Sequence, residues 1–284
     1  CTYMILSKQD EYGVSSVLAF LLLLLFSFSV LAESAKQAVN AVGSRVISNI
    51  ESNLNEFANE VASNFGHGNT EISISNLESG NPSYSLKTIQ PLITPSKLGK
   101  ELIFVQGGIH SNNGSNDRRQ TINLGLGKRF LVEEDKAIAG VNVFYDQESS
   151  SKHKRASLGA EYRRSNFGLS ANKYWALSDG IVINGATEKS LSGHDVKLTG
   201  QMPYVPWATI KGAHYYWDDT VGDNINGNVV GVEIKLSPAT SFEFGQENSN
   251  SMNKSVYGKL TIKLPVDGNE KLTDFTLDNT PFRA

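Results

Sequence analysis

Between Thr121 and Trp175 the chain repeatedly alternates polar and apolar residues with a period of two. In the segment INLGLGKRF, Ile122, Leu124, Leu126 and Phe130 share one face, and Asn123, Gly125, Gly127 and Arg129 share the other. AIAGVNVFYD sets Ala139, Val141, Val143 and Tyr145 against Gly140, Asn142 and Asp146. ASLGAEYRR sets Ala156, Leu158, Ala160 and Tyr162 against Ser157, Gly159, Glu161 and Arg163, and FGLSANKYW continues the pattern. Period two predicts strands with one apolar and one polar face. At about ten residues each, these strands exceed the globular mode of five or six. A soluble β-sandwich is the alternative, but ten residues at about 3.3 Å, tilted near 40°, rise roughly 25 Å, the apolar band of an outer-membrane barrel. Glycine and charge together on the polar faces suit a narrow lumen that must fit side chains and ion pairs.

Composition is compatible with this. A net charge of −3 offers no basic field, so nucleic acid is not an expected partner. The mean hydropathy is mildly negative, as it is for barrels, because half of every strand faces polar space. The one cysteine is Cys1; Met4 is the alternative start, and a mature chain without thiols fits an oxidising envelope compartment.

The run Val17 to Leu31 is apolar and followed by Ala32 and Glu33. It is short for a membrane helix and reads as the core of a signal peptide spanning residues 1–32, with an uncleaved anchor as the alternative. In residues 33–68 the period turns helical: Ala35, Val39, Val42, Val46, Ile50, Leu54, Phe57, Val61 and Phe65 recur at three- and four-residue steps. Gly66 and Gly68 end the pattern. This predicts a short periplasmic amphipathic helix that self-associates into a homodimer or packs on a partner; a fluctuating spacer is the bland alternative.

From residue 69 to 264 the alternation returns. TEISISNL, YSLKTIQ, ELIFVQGGI, the four segments above, HDVKLTGQM, WATIKGAHYYW, NVVGVEIKL, TSFEFGQE and SVYGKLTIKL make twelve strands, an even number as bacterial barrels require. Long polar connections such as HSNNGSNDRRQ and SDGIVINGATEKSLSG alternate with short ones such as RSN and PYVP, which predicts long loops outside and both chain ends on the periplasmic side. The lumen is expected to hold Arg129, Asp146, Glu161, Arg163, Lys197, Glu233, Lys235, Glu243 and Lys259. Lipid is expected to meet Leu124, Leu126, Val141, Val143, Leu158 and Leu260. Trp175, Trp207 and Trp217, with Tyr204, Tyr216 and Tyr257, are expected at the membrane interfaces. The last assignment conflicts with Lys211. If Trp207 and Trp217 both face lipid in a regular strand, so does this lysine, at about 2–4 kcal/mol near midplane. A bulge, or Lys211 inward with one tryptophan turned, would remove the conflict.

No enzyme chemistry is expected. His110, His153, His194 and His214 fall in or near connections without a nucleophile motif, and neither CxxC nor HExxH occurs. No cofactor or metal is called for. NLGLGKRF lacks the strand-then-helix setting of a nucleotide loop, so its glycines read as room in a crowded lumen.

NLGLGKRF, GVNVFYDQ, the basic HKR, LGAEYRR, LSANKYW and GHDVKLTGQMPYVP, in that order, resemble the transmembrane domain of the intimin/invasin family, the inverse autotransporters. The resemblance covers most of the chain beyond the leader. It implies an all-β fold, a twelve-stranded antiparallel transmembrane barrel in the outer membrane of a Gram-negative bacterium, which anchors and exports a C-terminal adhesive passenger. It also implies the outer-membrane lipid bilayer, the barrel assembly machinery and periplasmic chaperones as partners. Residues 265–284 then form a linker entering the pore. About twenty residues are too few for an immunoglobulin-like domain, so the passenger is expected to be absent from this chain. A structural or pore-forming barrel without a passenger is the alternative function.

Overall fold

The structure is a computed structural model that describes residues 68–76, 82–93, 99–113, 118–183, 186–219, 222–265 and 271–282. The expected leader, and the expected helix apart from Gly68, lie outside the described residues.

Among the described residues fourteen strands follow in order. They are β1 (Asn69–Ser75), β2 (Ser83–Ile93), β3 (Glu101–Asn113), β4 (Arg118–Val132), β5 (Ala137–Glu148), β6 (Lys154–Arg164) and β7 (Phe167–Ala176). The chain continues through β8 (Ile181–Ile183), β9 (Ala186–Glu188), β10 (Ser192–Met202), β11 (Val205–Asp218), β12 (Ile225–Lys235), β13 (Thr240–Ser249) and β14 (Ser255–Leu264). Twelve of them close into one barrel, every neighbour antiparallel, with β1 paired to both β2 and β14. Closure leaves no unpaired edge, which backbone in hydrocarbon requires. The two short strands β8 and β9 form a separate hairpin inside the longest connection.

The structure differs from the sequence expectation in two places. HSNNGSNDRRQ is read above as a loop, yet its ladder continues from His110↔Thr121 out to Asn113↔Arg118. The hairpin β8–β9 likewise arises in a stretch read as irregular. Apolar alternation marks only the part of a strand that meets lipid. Beyond it the β3–β4 ladder keeps its backbone pairing with polar residues, whereas the three-residue β8, Ile181–Ile183, is too short to show a period.

The register aligns the apolar faces of neighbouring strands into one belt. Ile109 opposes Ile122, Leu126 opposes Val143 and Val143 opposes Leu158. These side chains stay exposed: Leu124 by 57%, Val143 by 51% and Leu158 by 50%. In water so large an apolar belt would not stay uncovered; around a barrel it is the lipid contact.

Candidate functional site: the charged lumen and its mouth

The opposite parity of every strand points inward and is polar. Its register gathers charges that lie far apart in sequence. Lys211 on β11 reaches Glu233 on β12 at 2.6 Å and Glu243 on β13 at 2.7 Å. Tyr257 on β14 donates its hydroxyl to the same Glu243 at 2.8 Å. On the other side, Glu161 accepts from Arg129 at 2.6 Å and from Arg163 at 2.9 Å. The Arg129 guanidinium also lies 4.6 Å from the centre of the Phe104 ring.

A third group sits nearer the long loops. Asp146 pairs with Arg155 at 3.0 Å and accepts from Asn123. Arg155 stacks on Tyr174 at 4.5 Å and on Trp217 at 5.2 Å. Tyr174 and Asn172 each donate to Asp195 at 2.7 Å, with Lys197 at 3.3 Å from it. Glu243, Glu161, Asp146 and Asp195 each therefore have more than one donor, as a carboxylate partly removed from water needs.

A cavity of about 410 Å³ remains at the end bearing the short turns. Glu71, Arg163, Lys197, Lys211, Glu233, Lys259 and Lys263 line it, so cations outnumber anions in its wall. Lys235 shares the inward parity of Glu233 on the adjoining stretch of β12. On the outward parity stand Leu124, Leu126, Val141, Val143 and Leu158, with Leu260 opposite Ile74 and Phe242. Trp175 is also outward and 43% exposed.

Trp207, Trp217 and Tyr257 depart from the interface assignment. All three point inward, and Trp207 is only 3% exposed. The reason is the conflict at Lys211. Trp207, Lys211 and Trp217 share one parity of β11, and turning it inward gives the ammonium two carboxylates instead of acyl chains. The indoles gain partners too. Trp217 packs against Tyr174 with ring centres 5.2 Å apart. Trp207 donates Nε1–H to the Thr276 carbonyl at 2.9 Å and meets the Phe275 ring edge-on at 5.2 Å.

That last contact brings the chain beyond β14 to the mouth. Thr273 N–H donates to the Leu236 carbonyl at 2.8 Å, and Asp278 N–H to the Tyr204 carbonyl at 2.9 Å. Tyr204 N–H returns a bond to the Pro281 carbonyl at 2.9 Å. Residues 271–282 are thus tied to the β10–β11 and β12–β13 turns.

At the opposite end the β8–β9 hairpin is latched to the rim. Arg119 on β4 grips Glu188 with two bonds, at 2.6 and 2.7 Å, and lies 3.6 Å from Glu148. The hydrogen bonds from Arg119 hold the Glu188 carboxyl below its ordinary pKa. Sequence reading does not reach this pair, because 69 residues separate its members in a stretch without periodicity. Arg155, Tyr174 and Asp195 are also inward residues that it passed over, although their alternation with Ala156, Trp175 and Val196 carried the signal.

The comparisons with known proteins agree with this architecture. Residues 26–274 match the family described as inverse autotransporter, beta-domain. The chain is 32% identical over 164 residues to intimin of Escherichia coli O127:H6, covering 56% of this chain and 16% of that protein. It is 35% identical over 143 residues to an attaching and effacing protein homolog of E. coli K12, covering 48% of this chain and 45% of that one. It is 32% identical over 126 residues to the inverse autotransporter adhesin YeeJ of E. coli K12, covering 42% of this chain and 5% of that protein. The chain therefore spans less than half the length of these relatives. A solved structure from a study of in-meso crystallization of membrane proteins superimposes with a TM-score of 0.60 over 69% of this chain and 83% of that one, at 22% identity. With its family matched over most of its length and its apolar belt facing outward, the chain belongs to the inverse autotransporter β-domain family and is a barrel of the Gram-negative outer membrane.

Proposed function

We propose that this barrel is a translocator: it anchors in the outer membrane and carries a C-terminal segment through its lumen to the cell surface, where the exported passenger attaches to cells or surfaces. The observation that carries the reading is the seating of residues 271–282 at the mouth, with Thr276 hydrogen-bonded to the inward-facing Trp207. A chain leaving β14 at this end needs only to continue inward to enter the lumen. The walls there are wet, carry both signs of charge and suit the polar stretch Lys271 to Asp278. The translocator reading calls for no catalysis.

In this reading the long loops and the β8–β9 hairpin lie outside, and both chain ends lie in the periplasm. Insertion requires the barrel assembly machinery and periplasmic chaperones. To this reading we add the expectation from the sequence that residues 33–68 are a periplasmic amphipathic segment through which two barrels pair, and residues 1–32 the leader.

The test uses cysteines at Thr276 and at the inward Glu233. Cross-linking between them, with Thr276Cys shielded from reagents added on the periplasmic side, is the expected result. Free labelling without any cross-link would show a loose tail and remove the reading. Epitope tags at residues 184–185 and at Ser165–Asn166 read the orientation separately. Only the first should be detected on intact cells.

A further inference from the structure

The outward face of β7, β10 and β11 breaks the apolar belt at the long-loop end. Lys173 on β7 opposes Leu158 on one side and His194 on the other, so its side chain stands on the lipid side. His194 in turn opposes Tyr216, and their rings stack with centres 5.3 Å apart. Lys173 lies two residues short of Trp175 on the same face, about 5 Å deeper along the membrane normal for a strand tilted near 40°. An ammonium at that depth needs a counter-charge.

Two other outward cations have one. Lys128 pairs with Glu101 at 2.7 Å, and Arg164 pairs with Glu133, both at the short-turn end. No carboxylate pairs with Lys173 among the described residues. Lys154, at the tip of β6, adds a second outward cation farther out, level with Leu177.

Below Lys173 the wall is hollow. Ala160 and Ala171 oppose each other where the neighbouring strands carry Val141, Leu158 and Val196. Two methyl groups among branched side chains leave a slot of about 370 Å³, lined almost wholly by apolar surface, with Lys173 and His194 at its head. The slot leads from the lysine towards the middle of the membrane. A cationic head over an apolar channel is the complement of a lipid bearing an anionic head and an acyl chain.

We propose that this face is a binding site for a phosphate-bearing lipid of the outer leaflet, with the phosphate on Lys173 and His194 and one acyl chain in the slot over Ala160 and Ala171. The site rests on the orientation given above, which places the long-loop end in the outer leaflet. The phosphate supplies the charge that the protein does not provide for Lys173. The acyl chain fills the gap that Ala160 and Ala171 leave, so the lipid completes the barrel's own surface. One lipid per barrel is expected, because this is the stretch where an outward cation without a carboxylate heads a slot.

The test is native mass spectrometry of the full chain in detergent, titrated with lipid A carrying two phosphates, with the same lipid stripped of phosphate, and with inorganic phosphate. The intact lipid should bind one per barrel, the stripped lipid clearly more weakly, and inorganic phosphate not at all. Lys173→Gln should weaken binding roughly fivefold, the effect of one cation at a membrane surface, and Lys173→Arg should restore it. Ala171→Leu, which keeps the charge and fills the slot, should also weaken it. Heat-modifiable migration on gels confirms that each variant is folded before it is titrated. Equal binding by wild type, Lys173→Gln and Ala171→Leu would overturn the site, as would equal binding of the stripped lipid. Binding of inorganic phosphate alone would reduce it to an anion site without a lipid. The binding is measured in detergent and the tags report orientation in cells, so a reversed barrel and an absent site give different results.

Discussion

The indole N–H of Trp207 and the carbonyl oxygen of Thr276 are 2.9 Å apart, which joins the inner face of β11 to the chain that follows the last strand. Phe275, 9% exposed, covers the same indole edge-on. Replacing Trp207 by Phe keeps an aromatic ring, smaller than the indole, and removes the donor. The variant should lose about 1 kcal/mol of the tail's attachment, the net worth of one hydrogen bond, while the wall stays closed. A cysteine at Thr276 should then react faster with a water-soluble maleimide, with an unchanged barrel unfolding temperature. An unchanged labelling rate would mean that the tail is held by its backbone bonds to Leu236 and Tyr204 alone.

Lys211 tests the lumen as a balanced set of charges. It is 28% exposed and stands between two carboxylates that are 15% and 11% exposed. Lys211→Met leaves Glu233 and Glu243 facing each other without their cation. We expect a loss of about 1–3 kcal/mol, below the cost of breaking a fully buried pair because the cavity is wet. Adding Glu243→Gln should recover part of it, and a double-mutant cycle on unfolding in urea measures the coupling. Strictly additive losses would show that the three groups do not act together.

The inner and outer faces of most strands were legible because a barrel wall imposes a strict period of two, and most lipid-facing positions announce themselves as apolar. The reading fails where that signal is mixed. On β11 the aromatic girdle rule and the alternation rule disagree. Trp207 and Trp217 follow the alternation, because Lys211 on the same face cannot tolerate lipid. On β7 and β10 the alternation puts Lys173 and His194 outward, and no apolar pattern explains them. Long-range contacts such as Arg119 to Glu188 leave no periodic trace at all, since they join side chains 69 residues apart outside the alternating segments.

Gly127 is inward and lies against the Phe104 ring, where an added Cβ would overlap ring carbons. Phe104 is 2% exposed and capped by Arg129, so it has little room to withdraw. Gly127→Val should destabilise the barrel by about 1–3 kcal/mol, the usual cost of overpacking. Phe104→Leu should relieve much of this in the double variant, read as the temperature at which heat-modifiable migration is lost. A wild-type value for Gly127→Val would place the ring elsewhere.

Leu158 and Ser157 are adjacent on β6 but point to opposite sides, with exposures of 50% and 7%. Arginine at Leu158 should cost roughly 1–2 kcal/mol in folding into liposomes, because it meets lipid between the interface and the midplane, level with Lys173 across the strand pair. Ser157→Asn should be milder, since it meets a polar lumen beside Phe144 and Tyr174. Equal tolerance at both positions would reverse the assignment of faces.

The β8–β9 hairpin should respond to acid through a single carboxylate. Arg119 holds the Glu188 carboxyl below its ordinary value of 4.5 by hydrogen bonding it in the latched state. A carboxylate with a depressed pKa favours the latched state fully above its free value. That contribution is lost as the pH falls through the lowered one. The hairpin should therefore stay fully ordered above the ordinary carboxyl value of 4.5 and loosen only on the acid side of it. Glu188→Gln removes the charge and should give a loose hairpin across the whole range with a flat pH profile. A spin label at Val182, 69% exposed on β8, reports the mobility without touching the latch. If the wild-type label is equally mobile at neutral and acid pH, Arg119 does not hold the hairpin. If Glu188→Gln stays ordered at neutral pH, the β8–β9 connection is fixed by other contacts, such as the Ser178 hydroxyl near His153 Nδ1 at 3.3 Å.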